Sequence, residues 1–368
     1  MFDYFVPAEL EGSIKLGHLV NIPWRTKKVP GVVLALAEKQ ESTQFRARPI
    51  DAILEDTPLL TPAQMEFIKK FSGYYAVTPG SVARLMIPDR PNRASASKPS
   101  AYPDIPFSVS PSQLPKLKHA AETISPSPLG EGQGEGAQLV HIQDISSFVW
   151  FLHYLAKHDT RQLLVLIPTI EMILAIAGSM QKKYSEKISA VHSGLGKNAF
   201  WNAYRNILSG QSRIIFATRQ GIFLPIQNKS HIIFFESSSD DFKQYDQHPR
   251  YDSRIAGAWL AEISGSKLLL ASSSPDMGTD IGACADLPPA RKQDTAIALV
   301  DMKNEMQRKD FSIIGSQTLD AIKNALAQHK KAVVIALREE PPPRPPLNTG
   351  GGKTRGVSVQ SILGVLTQ

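Results

Sequence analysis

The sequence predicts an α/β fold in which helices cover both faces of a parallel sheet. Between residues 163 and 274, short apolar runs alternate with segments of helical periodicity, which is the pattern of consecutive βαβ units. The apolar runs are LLVLIP (163–168), ISAVHSG (188–194), RIIFATR (213–219), HIIFFESS (231–238) and KLLLASSS (267–274). Functional groups of such sheets lie on the loops that leave the carboxyl ends of the strands, so we expect candidate site residues there.

The composition is that of a globular protein without disulfides. The chain has 368 residues, a formal net charge of +7 and one cysteine, Cys284. A single cysteine excludes a disulfide framework and a zinc site built from cysteines. The mildly basic charge suits an anionic partner without requiring one. Because the chain has neither an apolar run of about 18 residues nor a signal peptide, we expect a cytoplasmic protein that does not contact membranes.

Residues 1–90 have the pattern of a small β-rich domain that ends in a helix. Its strand-like runs are HLVNIPW (18–24), PGVVLALAE (30–38) and ARPIDAILED (47–56), and glycines and prolines separate them. Thr61 is a candidate N-cap and Pro62 is a favoured first helical residue. We therefore predict that a helix begins at this point and closes the domain.

The remaining boundaries follow from changes in composition. Proline, serine and glycine dominate residues 91–137, which we interpret as a linker with one short helix and a disordered insert at 125–137. We place a lobe at 138–338 and a disordered tail at 339–368. After residue 274 we expect a loop (280–292), a strand (295–302), a helix (316–331) and a strand (332–337). The GGGKT run at 350–354 lacks the earlier glycine and the preceding strand of a phosphate-binding loop.

Several segments carry a resemblance to a known family. They are FDYFVP (2–7), HLVNIPW (18–24), RPIDAILEDTPLLTP (48–62), LVLIPTIEM (164–172), AVHSGLG (190–196), IFATRQGIFLP (215–225), IIFFESSSDDFKQ (232–244), PRYDSR (249–254) and LLLASSSP (268–275). In this order they resemble the PriA (primosomal protein N′) family of replication-restart DNA helicases. The resemblance implies a 3′-DNA-end-binding domain in residues 1–90 and one RecA-like lobe, of the P-loop NTPase type, in residues 138–338.

The resemblance assigns DNA 3′-end binding to Phe2, Asp3 and Arg48. An aromatic ring can pack on a base, a carboxylate can accept a hydrogen bond from the terminal sugar, and a cation can meet phosphate. The family has a glycine in a Pro-Phe-Gly turn, whereas residues 23–25 are Pro-Trp-Arg. We also expect the strand that precedes the FDY motif in the family to be missing.

The motor positions of the resemblance depart from the family. Ile145 and Phe148 stand about where the phosphate-binding loop has glycine and lysine, and Phe235 replaces the aspartate that holds Mg²⁺. Only Glu236 remains of the acidic pair, and Ser272–Ser274 partly match the loop that couples hydrolysis to motion. One carboxylate without a phosphate cradle is a poor magnesium site. We therefore expect no catalytic residue and none of the family's cofactors (ATP, Mg²⁺ and structural zinc), and we expect no second lobe after residue 338.

Thr218 and Arg219 end the third apolar run, on the side where the family's lobe faces single-stranded DNA, so we predict that they contact DNA phosphate. The predicted function is binding of DNA 3′ ends and branched or single-stranded DNA in replication restart, without ATP hydrolysis. Other primosome proteins and single-strand-binding proteins are candidate partners. Three alternatives stay open: an ATP-dependent 3′–5′ helicase completed by a separate second lobe, a non-enzymatic scaffold or remnant, and a small-molecule α/β enzyme.

Overall fold

The computed structural model describes residues 2–37, 47–91, 102–103, 105–124, 137–184, 187–274, 284–291 and 316–328. The chain forms two compact units, Met1–Asp294 and Thr295–Gln368. In the second unit the described part is one helix, Ser316–Ala327, at the position where a helix was predicted. The strands predicted at 295–302 and 332–337, most of the insert and the tail with its GGGKT run lie outside the described residues.

The N-terminal residues form a module of short strands followed by two helices. The described elements are β1 (Tyr4–Phe5), α1 (Ala8–Glu11), β2 (Leu19–Trp24), β3 (Lys27–Val32), β4 (Arg48–Pro49), β5 (Ala52–Ile53), α2 (Pro62–Tyr75) and α3 (Pro79–Met86). β2 pairs antiparallel with β3 and β5, and β1 pairs parallel with β4. A small apolar core of Ile14, Val20, Val33 and Ile50 supports these strands. The β-rich N-terminal domain predicted from the sequence is therefore present.

Helix α2 begins where the sequence predicts. The Thr61 side chain accepts a hydrogen bond from the Gln64 backbone N–H at 3.2 Å, and the Gln64 side chain accepts one from the Thr61 backbone N–H at 3.0 Å. This reciprocal pair is a capping box, which satisfies two backbone donors that the first helical turn leaves free. The Gln64 amide also donates to the Phe223 carbonyl at 2.8 Å, so the helix start is tied to the lobe.

The lobe is an α/β layer structure with a parallel sheet, which confirms the predicted fold class. Its strands are β6 (Gln138–Ile142), β7 (Leu163–Leu166), β8 (Ile188–Val191), β9 (Ile214–Ala217), β10 (His231–Phe235), β11 (Lys267–Ser272) and β12 (Ala285–Leu287). They pair in the order β12-β6-β11-β10-β7-β9-β8, and every pairing is parallel. The helices are α4 (Leu114–Ile124), α5 (Ile145–His158), α6 (Ile170–Tyr184), α7 (Lys197–Leu208) and α8 (Ser253–Ser264).

Two apolar cores lie on opposite faces of this sheet because side chains alternate along a strand. Leu163 and Val165 point into the core beneath α4, α5 and α6, whereas Leu164 and Leu166 point into the other core with α7 and α8. The central strands are buried along their whole length. Burial on both faces explains why the strand sequences are continuous apolar runs.

The N-terminal module shares the second of these cores with the lobe. Phe67 and Phe71 of α2 are fully buried, and the Phe71 ring packs against Phe223, Tyr251 and Trp259 at centroid distances of 5.7, 5.7 and 6.5 Å. Each such aromatic ring contributes roughly 1.5–3 kcal/mol by leaving water. Residues Met1–Asp294 consequently form one compact unit.

Part of the predicted linker is structured. Helix α4 forms where a short helix was expected, and Leu117, Ala121 and Ile124 are buried against α5 and the sheet. Gly178 of α6 permits a close approach of the preceding segment, since a β-carbon there would lie 1.9 Å from the Pro103 carbonyl oxygen. The described end of the insert, Ala137, leads directly into β6. The proposed boundaries near residues 90, 137 and 338 stay a prediction.

One prediction about the lobe was wrong. Residues 280–292 were expected to form a loop, but β12 (Ala285–Leu287) pairs with β6 and buries Leu287. The strand has three residues and one buried apolar side chain, which is too short for a periodic pattern. Pairing with an existing strand edge, rather than the local sequence, produces it.

Candidate nucleic-acid interface

The N-terminal strand and the tip of the β2–β3 hairpin form an exposed aromatic pair. The Phe2 ring meets the Trp24 ring edge to face, with centroids 4.6 Å apart. Phe2 is 66% exposed and Trp24 is 39% exposed. Exposed aromatic rings of this kind are suited to packing against a base. Phe2 therefore has a partner that the sequence prediction did not assign, and the only signal for Trp24 was its place in the Pro-Trp-Arg turn.

The parallel pairing of β1 with β4 brings Arg48 to the same end of the module. Arg48 lies opposite Tyr4 in the register, and its Nη1 donates to the Arg25 carbonyl at 3.0 Å. Arg25 follows Trp24 at the hairpin tip and has a φ of 53°, a conformation that costs a non-glycine residue about 1–2 kcal/mol. The bond from Arg48 stabilises this turn.

Asp3 is exposed and lies between Phe2 and Tyr4 in the chain. Of the three residues predicted for 3′-end binding, Phe2 contacts Trp24 and Arg48 contacts the Arg25 carbonyl. Asp3 lies between Phe2 and the start of β1 in the chain. The arrangement combines exposed rings, one carboxylate and two guanidinium groups, which are the groups that a terminal nucleotide needs: stacking, a sugar acceptor and phosphate donors.

The start of α5 is occupied by a carboxylate of the chain itself. Asp144 caps the helix, accepting a hydrogen bond from the Ser147 backbone N–H at 2.7 Å. Its second carboxylate oxygen accepts one from the Ala290 backbone N–H at 2.7 Å. A helix N-terminus that follows the first strand of such a sheet is where a bound phosphate would lie. Here a negatively charged side chain takes that place.

Phe148 and Phe235 form a buried stacked pair beside this helix start. Their ring centroids are 4.3 Å apart and the ring planes differ by 25°. Phe148 is 0% and Phe235 is 2% exposed. Both rings belong to the core beneath α4, α5 and α6. The two positions that the resemblance assigns to a lysine and an aspartate thus contact each other as an apolar pair.

These residues do not fit a magnesium nucleotide. Phe148 cannot neutralise phosphate, Phe235 cannot ligate a metal, and the Asp144 carboxylate would repel a triphosphate. Ile145 is the first residue of α5 and has no functional group to offer. Within the described ranges, no group of three or more histidine, cysteine, aspartate or glutamate side chains is placed to hold a metal ion.

Glu236 is held by serines of the neighbouring strand. Its Oε2 accepts hydrogen bonds from the Ser273 backbone N–H at 3.2 Å and from the Ser273 hydroxyl at 3.0 Å. A third bond comes from the Ser272 hydroxyl at 3.4 Å. Glu236 itself has a φ of 53°. The contacts of its carboxylate therefore fix the carboxyl ends of β10 and β11 against each other.

Thr218 and Arg219 lie at the carboxyl end of β9, as predicted. Arg219 begins a short 3₁₀ helix, Arg219–Phe223, and its Nε donates to the Gln244 side chain at 2.7 Å. Its Nη1 reaches the Asp241 carbonyl at 3.3 Å. On the neighbouring loop after β8, burial lowers the pKa of His192, so this imidazole adds no positive charge at neutral pH. Arg219 is thus a cation of this edge, in a partly buried setting.

The described residues therefore form an α/β lobe with a parallel sheet, preceded by a β-rich module with an exposed aromatic end. Residues 1–88 match the family model described as the PriA 3′DNA-binding domain (3′BD). The chain also resembles replication restart protein PriA over most of its length. It is 26% identical to the Rickettsia conorii protein over 350 residues, which cover 91% of this chain and 51% of that protein.

A second relative, replication restart protein PriA of Helicobacter pylori, is 23% identical over 329 residues, covering 87% of this chain and 48% of that protein. The chain thus spans about half the length of these curated relatives. Among solved structures, the Hef helicase domain of Pyrococcus furiosus has a TM-score of 0.30 and 15% identity, covering 45% of this chain and 33% of that one; this likeness is too weak to carry an argument. The resemblance stated from the sequence is confirmed.

Proposed function

We propose that the chain binds the 3′ ends of DNA, at forks or on single strands, in replication restart, and does so without hydrolysing ATP. The observation that carries this proposal is the match of residues 1–88 to a 3′-DNA-binding domain, together with the Phe2–Trp24 pair and Arg48 at one end of that domain. The relatives' name, replication restart protein, supports the cellular role.

Binding of a 3′ end by this module would use three kinds of contact. The Phe2 and Trp24 rings pack on the terminal base, Asp3 accepts a hydrogen bond from the sugar hydroxyl, and a guanidinium meets the phosphate. One N–H group of Arg48 donates to the Arg25 carbonyl, and its other N–H groups are the proposed donors to phosphate. Thr218 and Arg219 of the lobe provide the second proposed phosphate contact, with Arg219 aligned by Gln244.

The absence of ATP hydrolysis is supported by the residues at the start of α5. A buried Phe148–Phe235 stack replaces a cation and a metal ligand, and Asp144 places a negative charge where a phosphate would bind. Among the described helices, none is long and apolar enough to cross a membrane. We also propose that the chain acts in the cytoplasm, together with DNA and with other primosome or single-strand-binding proteins.

Fluorescence anisotropy tests the DNA-binding part. At about 150 mM salt, where non-specific phosphate contacts are weak, we expect a fork with a 3′ end to bind more tightly than blunt duplex. Phe2→Ala and Asp3→Ala should reduce this preference, whereas Glu9→Ala on the exposed surface of α1 is a matched control. Equal affinity of the wild-type chain for fork and duplex would overturn the proposal.

Calorimetric titration tests the nucleotide part. We expect no heat of ATP binding, with or without magnesium. Binding tighter than about 100 μM, which corresponds to more than 5 kcal/mol, would contradict the interpretation of Phe148 and Phe235. ATP-driven strand displacement in the presence of a separate second lobe would establish the helicase alternative instead.

A further inference from the structure

Two cavities lie end to end along helix α7, between this helix and the N-terminal module. The first, of about 310 Å³, takes Lys197 and Phe200 from α7 and is bordered on the module side by Arg84 and Asp89. The second, of about 500 Å³, takes Trp201 and Arg205 from the same helix. Together we name them the α7 groove.

The module wall of the groove is continuous. Residues Leu85, Ile87, Pro88 and Asp89 border the first cavity, and Arg90 and Pro91 border the second. Within the first cavity, Lys197 Nζ lies 3.2 Å from Asp89 Oδ2, and both side chains are about three-quarters exposed. An exposed pair of this kind contributes little to stability and can open. The two cavities adjoin where Asp89 is followed by Arg90 in the module and Phe200 by Trp201 in α7.

The groove carries an excess of positive charge. Its cations are Arg84, Arg90, Lys197 and Arg205, and its carboxylates are Glu55 and Asp89. Arg90 and Arg205 both approach Glu55, at 3.0 and 3.7 Å, and Lys197 pairs with Asp89. Arg84 makes no ion pair within the part of the chain that the structure describes. Four cations against two carboxylates leave two positive charges for an anionic occupant.

The groove runs from the β2–β3 hairpin towards the Arg219 edge of the lobe. At one end it borders Leu19 and Pro30 of β2 and β3; Leu19 lies five strand residues, about 17 Å, from Trp24 at the hairpin tip. At the other end it borders Gln220 and Gln244; the first follows Arg219 in the chain and the second accepts its hydrogen bond. From Lys197 to Arg205 the helix rises about 12 Å, which separates the two α7 cations along the groove.

We propose that the α7 groove binds the backbone of single-stranded DNA between the 3′-end module and the Arg219 edge of the lobe. This proposal rests on the proposed function, since it places the strand between the 3′-end module and the lobe. Arg84 and Lys197 are the cations that meet phosphate, because Arg84 is unpaired among the described residues and Lys197 has an exposed partner. Phe200 and the neighbouring prolines form the apolar floor.

The experiment uses the full chain and measures affinity against salt for a duplex with a single-stranded 3′ tail. Each phosphate contact with single-stranded DNA contributes about 0.7 to the slope of log affinity against log salt. We expect the double variant Arg84→Ala/Lys197→Ala to lose about 1.4 from the slope and to bind roughly tenfold more weakly near 150 mM salt. Each single variant should lose about half of this.

Lys157→Ala is the matched control, because Lys157 is an exposed cation on α5, on the opposite face of the sheet. A slope for the double variant equal to that of Lys157→Ala, with melting temperatures close to wild type, would overturn the groove assignment. Failure of the proposed function gives a different result: the wild-type chain would then bind a tail with a free 3′ hydroxyl and a tail with a blocked one with equal affinity. The slope and this end preference are read from the same titrations, so the two failures are distinguishable.

Discussion

Trp24 places a second aromatic ring beside Phe2, and this pair is the residue-scale feature on which the proposed recognition of a DNA end depends. We predict that Trp24→Ala weakens binding of a 3′-tailed DNA by about 1–3 kcal/mol, the usual contribution of one stacked base. Trp24→Phe should retain most of the affinity because it keeps a ring. Anisotropy titrations measure both variants.

Phe5→Ala is the control for this prediction, since Phe5 is an exposed aromatic residue of the same module at 46% exposure and is not part of the Phe2–Trp24 pair. Loss of affinity in Phe5→Ala as large as in Trp24→Ala would mean that the module binds DNA through general aromatic exposure rather than through the hairpin tip.

Phe148 gives a second prediction at this scale. Phe148→Lys restores the residue type that the resemblance expects, but it inserts an ammonium group into a core position with 0% exposure. We expect the free energy of unfolding to fall by about 3–5 kcal/mol, measured by urea denaturation, and ATP binding not to appear. A stable Phe148→Lys variant that binds ATP would refute the account of this position. Phe148→Leu, which keeps the site apolar, should lose less stability.

At the scale of elements, the sequence predicted the strands that are buried along their length and the helix with a local cap. It missed the strand that forms only by pairing with a distant segment of the chain. The strands β7 to β11 are visible because most of their residues are buried on both faces of the sheet, so apolar residues dominate them. Helix α2 is visible because its capping box uses adjacent residues. The sequence gives no signal for β12, because this strand forms only by pairing with β6. In that pairing Asp286 lies opposite His141, which is more than 140 residues earlier in the chain.

The sequence likewise indicated only part of the candidate site. Phe2, Asp3 and Arg48 were predicted through the resemblance, and their role at a 3′ end stays a prediction. The pairing of β1 with β4 places Arg48 opposite Tyr4, which follows Asp3 in the chain. Trp24 and the cations of the α7 groove were not assigned, because contacts between distant segments produce both features. The substitution of Phe148 and Phe235 was seen in the sequence, but their mutual stacking depends on the packing of α5 against β10 and could not be.

A partly buried charge cluster joins the end of α5 to the amino ends of β7 and β10. Asp159 accepts hydrogen bonds from the Arg161 guanidinium and lies 2.7 Å from His231 Nε2. Burial alone raises the pKa of Asp159, but the hydrogen bonds from Arg161 and His231 outweigh it and hold this pKa well below its usual value. Burial lowers the pKa of His231.

Both shifts predict that the protein becomes less stable as the pH is lowered. A group whose pKa is lowered by folding binds more protons in the unfolded chain, so its stabilisation is full above the unfolded pKa and is lost as pH falls towards the folded one. For His231 the loss begins below about pH 6.5, and for Asp159 it begins below about pH 4. Urea denaturation at pH 7, 5 and 3 should show two successive decreases.

The variant His231→Gln checks the first of these decreases. It should remove the decrease between pH 6.5 and 5 and make the acid decrease smaller, because Asp159 loses its contact with His231 and keeps those with Arg161. His119→Gln, on α4, is the comparison for a histidine outside the cluster. An unchanged profile in His231→Gln would assign the decrease to other groups.

For the whole molecule, the shared core predicts one cooperative unfolding transition for the module and the lobe. Phe71 is fully buried and contacts aromatic rings from both parts. We expect Phe71→Ala to lower the free energy of unfolding by about 3–5 kcal/mol and to lower the midpoint seen by far-UV circular dichroism and by tryptophan fluorescence equally. The exposed substitution Leu36→Ala should change stability by less than about 0.5 kcal/mol. Separate midpoints for the two signals in Phe71→Ala would show that the module unfolds independently.

The bond between Gln64 of α2 and the Phe223 carbonyl has a consequence for how the chain would measure DNA. Phe223 ends the 3₁₀ helix that Arg219 begins, and Gln64 belongs to the module that carries Phe2 and Arg48. With module and lobe joined in one core, the spacing between a captured 3′ terminus and Arg219 is set by the fold and not by a hinge. A DNA strand that engages both contacts would therefore be protected from nuclease over a constant number of nucleotides from its 3′ end. The length of this protected segment would not depend on the total length of the strand.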